Sequence, residues 1–198
     1  MPTDAATDGL RRVVLAVALL NLAYFGVEFA VALRIGSVSL FADSVDFLED
    51  ASVNLLIFFA LAWPPARRAR VGMVLAGILL IPALALVWSL WGKFTNPVPP
   101  DPFALSITGL GALLVNLSCA FLLARFRSHS GSLTKAAFLS ARNDAIANVA
   151  IIFAGLLTGY LWRSVWPDII VGLAIAAMNI DAAREVWNAA REEHDALA

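Results

Sequence analysis

Residues 39–54 read SLFADSVDFLEDASVN, and four carboxylates (Asp43, Asp46, Glu49 and Asp50) fall inside a stretch otherwise apolar enough to span a membrane. Ionised side chains in hydrocarbon cost several kcal/mol each unless they face a protein interior or a water-filled cavity, so acids in such a segment point first to function. At about 100° per residue, Asp43, Asp46 and Asp50 share an arc of roughly 60°, Asn54 joins them one turn on, and Glu49 lies at the flank. One face of this helix is a column of oxygen ligands.

The surrounding chain sets the context for those acids. It has 198 residues, 61% of them hydrophobic, with a mean hydropathy of +0.81. That is too apolar for a soluble domain of this size and marks an integral membrane protein. The single cysteine, Cys119, lies within an apolar run, which excludes a disulfide framework and a CxxC metal site. The N-terminus, MPTDAATDGLRR, puts acids where a signal peptide needs a basic region, so it reads as a retained cytosolic tail.

Six segments are long enough to cross about 30 Å of hydrocarbon: 12–33, 37–63, 71–91, 102–124, 133–161 and 167–187. The separators agree with this division. Pro64 and Pro65 end the second segment, and Asp101-Pro102 supplies an N-cap and a first-turn proline for the fourth. Trp166-Pro167 does similar work for the sixth, and Pro82 kinks the third. The expected fold is therefore an all-α integral membrane protein with six transmembrane helices. The divisions are a tail over 1–10, a transport domain over 11–188 and a short tail over 189–198.

Basic residues stay on the cytoplasmic side of a membrane protein. Arg11, Arg12, Arg67, Arg68, Arg70, Arg125, Arg127, Lys135, Arg184 and Arg191 fall on one side of the six segments, and only Arg34, Lys93 and Arg163 on the other. This predicts cytoplasmic N- and C-termini. Trp63, Trp88, Trp91, Trp162, Trp166 and Trp187 stand near predicted helix ends, where indoles anchor in the headgroup layer.

A second polar set lies in the fifth segment, SARNDAIAN, where Ser140, Asp144 and Asn148 form an i, i+4 stripe beside Asn143. The pattern Asp46-x-x-x-Asp50-Ala-x-x-Asn54 is echoed by Ser140-x-x-x-Asp144-Ala-x-x-Asn148. Because these are the middle helices of two three-helix halves, the echo suggests an inverted repeat with a site at midmembrane. Asp50 and Asp144 each lie about 15–18 Å from the nearest predicted end of their helices. Three close carboxylates in a low dielectric cannot all ionise without a compensating cation, so a metal ion or protons must accompany them. Acids acting only as packing glue between helices are the alternative, and four on one helix exceed that need.

Glu28 shares a face of the first segment with Asn21 and Tyr24, and could carry protons, admit an ion or pair with a buried arginine. Arg142 lies about 160° from Asp144 on the helical wheel and is expected to be structural, with Asp181 as a possible partner. His129 and His194 read as solvated surface groups.

The run Gly36-Ser37-Val38-Ser39-Leu40-Phe41-Ala42-Asp43 followed by Asp46-x-x-x-Asp50 resembles the second-helix signature of the cation diffusion facilitators. The six spans, cytoplasmic termini and second pair on the fifth helix are similar too. The resemblance implies a divalent-metal/proton antiporter that exports its ion by alternating access, commonly as a homodimer, here expected in a bacterial inner membrane. It carries over Asp46, Asp50 and Asp144 as metal ligands; the reading of the residues themselves adds Ser140 as a weak ligand and Asp43, Asn143, Glu49 and Glu28 as further candidates. Ser140 stands where the family usually has histidine. The family's C-terminal cytoplasmic domain and histidine-rich loop are not expected in this chain. An all-oxygen set moves preference from Zn toward harder ions, and Zn, Mn, Fe(II), Co and Cd are all candidate cargo. Membrane lipid, protons and the cation are the expected partners, with no nucleic acid and no catalytic residue. The other classes are a non-transporting metal-sensing or partner subunit and a metal-dependent membrane enzyme acting on lipid phosphates. The latter would want basic residues on the acid face.

Overall fold

The computed structural model describes residues 4–60, 84, 86–124 and 132–178, with side chains placed at 9–59, 84, 86–124 and 141–178. Among these residues the chain is helical: α1 (Asp4–Ile35), α2 (Val38–Ala60), α3 (86–95), α4 (Pro102–Ala124), α5 (Ser132–Tyr160) and α6 (Trp166–Met178). Gly9–Ile35, Pro102–Ala124 and Ala141–Tyr160 are each long and apolar enough to cross a membrane, and Trp166–Met178 is a shorter apolar helix. This is an integral membrane protein. Pro64, Pro65, Pro82, the basic residues 67, 68, 70, 125, 127, 184 and 191, and also His129, Asp181, His194, Trp63 and Trp187 lie outside the described residues. So do the side chains of Lys135 and Ser140.

Helix α1 packs on α2 and α4, and α5 packs on α4 and α2, closing a ring of four helices. The burial patterns show why. Along α4, Leu105, Thr108, Gly109, Ala112, Asn116, Cys119 and Leu123 are buried at helical spacing, while Leu110, Leu114, Leu117 and Phe121 face outward. An apolar outer face and a stripe of small residues inside suit helices that associate within lipid, where close backbone approach replaces hydrophobic driving force. Gly109 shows the closeness: a Cβ there would stand 3.0 Å from a methyl of Ile151 on α5.

The turn between α1 and α2 follows from two adjacent residues. Gly36 adopts φ 62°, the left-handed conformation a helix needs at its C-terminal stop, and the Ser37 N–H reaches back to the Ala32 carbonyl at 3.2 Å. Ser37 then caps α2, its Oγ accepting the Leu40 N–H at 3.2 Å. At the start of α4, Asp101 Oδ1 accepts the Ala104 N–H at 2.7 Å and Pro102 opens the helix, as the sequence predicted. The helix of α1 begins at Asp4, so part of the segment expected as a tail continues the first helix outward. Exposed Trp88 and Trp91 on α3 and Trp162 and Trp166 between α5 and α6 gather near one end of the helices, the end carrying Gly36.

Two apolar clusters sit at different levels of the ring. One joins Ala32, Leu40, Phe41, Leu105, Ile151 and Ala154 toward the Gly36 end, and the other joins Val17, Cys119, Leu123 and Ala141 toward the opposite end. Between them, on the same buried faces, lie Asn21 and Glu28 of α1, Asp43 of α2, Asn116 of α4 and Asn148 of α5. The polar layer is enclosed above and below by hydrocarbon.

A carboxylate layer between helices α1, α2, α4 and α5

Helix α2 brings its acids into this layer in sequence. At about 1.5 Å per residue from Val38, Asp43 lies about 7.5 Å, Asp46 about 12 Å and Asp50 about 18 Å along the axis. Asp43 is fully buried, Asp50 is 9% exposed, and Asp46 and Glu49 are partly exposed. From α5, Asp144 meets them: its carboxyl lies within hydrogen-bonding reach of the Asp50 carboxyl, and it is close enough to Asp46 for the two charges to interact. Asp46, Asp50 and Asp144, the core of the predicted set, are therefore neighbours across the α2–α5 contact. Glu49 stands at the flank, near enough to both Asp46 and Asp144 to interact with their charge. Among the described residues, no three acid, histidine or cysteine side chains converge tightly enough to ligate one ion as they stand.

The remaining candidates separate by position. Glu28, wholly buried on α1, faces Asp43 rather than an arginine, and the two carboxyls lie within hydrogen-bonding reach of each other. Asn143 is exposed beside Arg142, whose Nη2 donates to its Oδ1 at 3.4 Å, so it belongs to the outward face and not to the acids. Arg142 points outward as the helical wheel predicted.

Asn148 has a definite partner in the layer. Its Nδ2 donates to Asp43 Oδ2 at 2.5 Å, and its Oδ1 accepts from Asn116 Nδ2 at 3.1 Å. The chain Asn116–Asn148–Asp43 thus joins α4, α5 and α2 through one amide whose orientation the first asparagine sets. The i, i+4 stripe on α5 pointed to Asn148; nothing local pointed to Asn116. Tyr24 ties α1 to α4 by donating to the Thr108 carbonyl at 2.6 Å, and its ring packs 5.1 Å from that of Phe47 on α2. The loss of a side chain at Gly111 leaves room for the Tyr24 hydroxyl.

Sequence reasoning also missed Asp168. It is fully buried in the first turn of α6, and its carboxylate accepts from Ser37 Oγ at 2.7 Å, Ser39 Oγ at 2.6 Å, Val38 N at 2.8 Å and Ser39 N at 3.1 Å. It satisfies the two N–H groups at the start of α2 that Ser37 leaves free. The signal was invisible because an acid in the first turn of a helix ordinarily complements its own dipole. Lys93, buried at the end of α3, donates to the Val98 carbonyl; burial pushes its ammonium below the usual lysine range, and Asp168 opposes that shift.

Buried carboxylates at this density are costly to leave ionised without positive charge beside them. No curated protein matches the chain significantly. The family model described as the cation efflux transmembrane domain matches residues 14–192, nearly the whole chain, so the protein belongs to the cation efflux family, whose members are membrane cation transporters.

Proposed function

We propose that the chain is a divalent metal cation/proton antiporter that exports its ion from the cytoplasm, with Asp46, Asp50 and Asp144 as the transport site. The contact between Asp50 on α2 and Asp144 on α5 carries this reading. Two carboxyl groups in reach of each other inside a bundle need either a proton or a cation between them, and both species can occupy the same oxygens. Cation binding releases protons, and protons returning from the other side release the cation. The family supplies the cargo class. Ser140, one turn before Asp144 in the sequence, is proposed as a further hydroxyl ligand of the set. With oxygen ligands only, harder ions such as Mn or Fe(II) are favoured over Zn.

In this reading residues 11–188 form one transport domain of six spans with both termini cytoplasmic, working as a homodimer in a bacterial inner membrane. The Gly36 end then faces outward. Metal uptake into inverted vesicles driven by a proton gradient tests the proposal, across Zn, Mn, Fe(II), Co and Cd. Asp50→Ala and Asp144→Ala should each abolish flux while the protein still folds and inserts. Wild-type flux in both variants would refute the site.

A further inference from the structure

The acids of the layer divide into two groups, and only one is used by the transport site proposed above. Glu28 on α1 and Asp43 on α2 form the other. Both are wholly buried, and among the described residues neither oxygen of Glu28 nor Oδ1 of Asp43 has a hydrogen-bond donor. The remaining Asp43 oxygen is taken by Asn148, held in place by Asn116, which leaves Oδ1 as the free one. Tyr24, one turn before Glu28, gives its hydroxyl proton to the Thr108 carbonyl of α4 and so supplies no donor to either carboxyl.

Counting acceptors identifies the class of ligand. A single proton bridges two oxygens, leaving the third carboxylate oxygen without a partner and one negative charge buried. Two protons neutralise both charges and are the competing occupants; a divalent cation takes all three oxygens at once and neutralises both charges. We infer that Glu28 and Asp43 form a second divalent-cation site between α1 and α2, distinct from Asp46, Asp50 and Asp144. Asp43 lies about 10 Å nearer the Gly36 end of α2 than Asp50 does. The second site is therefore a staging position on the path between the transport site and that end of the protein. The inference deepens the proposed function and rests on it for the direction of travel, not for the binding itself.

The test counts bound Mn(II), added alone, on the purified full-length chain by equilibrium dialysis and by its electron paramagnetic resonance signal. Wild type should bind two ions per chain, Asp50→Asn/Asp144→Asn one, and the same double variant with Glu28→Gln none. Glu28→Gln alone should retain one. Asp43→Asn serves as a second probe of the same pair, with a melting curve for each variant to establish folding. The second site is overturned if the Asp50→Asn/Asp144→Asn protein binds no Mn(II), which leaves the Glu28–Asp43 pair holding protons only. It is equally overturned if Glu28→Gln leaves the wild-type count unchanged. Flux that disappears in Asp144→Ala alongside a count of one ion in wild type would retire the second site and keep the transport site.

Discussion

Asp168 Oδ1 stands 2.7 Å from Ser37 Oγ across 131 residues of sequence, and through this contact α6 caps the helix that carries the acids. Ser37 supplies the cap from within α2 and Asp168 supplies it from outside, so the first N–H groups of α2 are all satisfied although this end is fully buried. Losing the outer half leaves two N–H groups and one of the two serine hydroxyls buried without an acceptor, since Ser37 Oγ and Ser39 Oγ lie 3.3 Å apart and one can still donate to the other. Asp168→Ala should lower stability by about 2–3 kcal/mol, since bonds to a charged acceptor are the costly ones to break. Adding Ser37→Asp should recover part of the loss, because aspartate is itself a strong N-cap. Equal melting temperatures for wild type and Asp168→Ala in a reversible denaturation assay would show that this contact contributes nothing.

Close approach of α6 to α2 depends on Gly172. A Cβ there would lie 2.7 Å from Val38 Cγ1 and 2.8 Å from Ser39 N, and backbone cannot yield as a flexible side chain can. Gly172→Ala should cost about 1–3 kcal/mol. Gly26 in α1 has nothing within 4 Å of the same position, so Gly26→Ala should be neutral or stabilise by up to about 1 kcal/mol through helix propensity. Thermal melts of the two variants side by side decide the matter, and a reversed order would contradict the packing.

The amide relay predicts non-additivity. Asn148→Ala removes the donor to Asp43 and also strands Asn116, whereas Asn116→Ala removes only the support. Asn148→Ala should therefore be the more damaging, by about 1–3 kcal/mol. The double variant should fall short of the sum by about 0.5 kcal/mol or more. Strict additivity in a double-mutant cycle would mean that the two amides act independently.

Cation binding should stabilise the protein by mass action. At a concentration about 100 times its dissociation constant, a transported ion adds about 2.7 kcal/mol, visible as a rise in melting temperature that a chelator reverses. Asp144→Asn should reduce that rise, because it removes the α5 member of the transport site. A rise of the same size in the variant would place the bound ion elsewhere.

How much of this was legible beforehand differs from residue to residue. The membrane class followed from composition, the α4 start from Asp101-Pro102, and the acidic column on α2 from helical spacing, since each depends on residues near one another in the chain. Helical periodicity also placed Asp144 and Asn148 on one stripe and turned Arg142 away. It could not separate Asn143 from the site with equal certainty, because a residue at the edge of a stripe goes inward or outward according to its neighbours, and Asn143 is engaged by Arg142 on the exposed face.

What the chain determines by itself is which side of each helix is polar, because that angle is set by about 3.6 residues per turn and by nothing outside the helix. Which acid meets which partner is a different matter. The pairing of Asp50 with Asp144, of Asp43 with Glu28 and Asn148, and of Asp168 with the start of α2 depends on how far one helix slides and turns against another. Packing at Gly109, Gly111 and Gly172 sets those offsets, and only the assembled tertiary structure contains them.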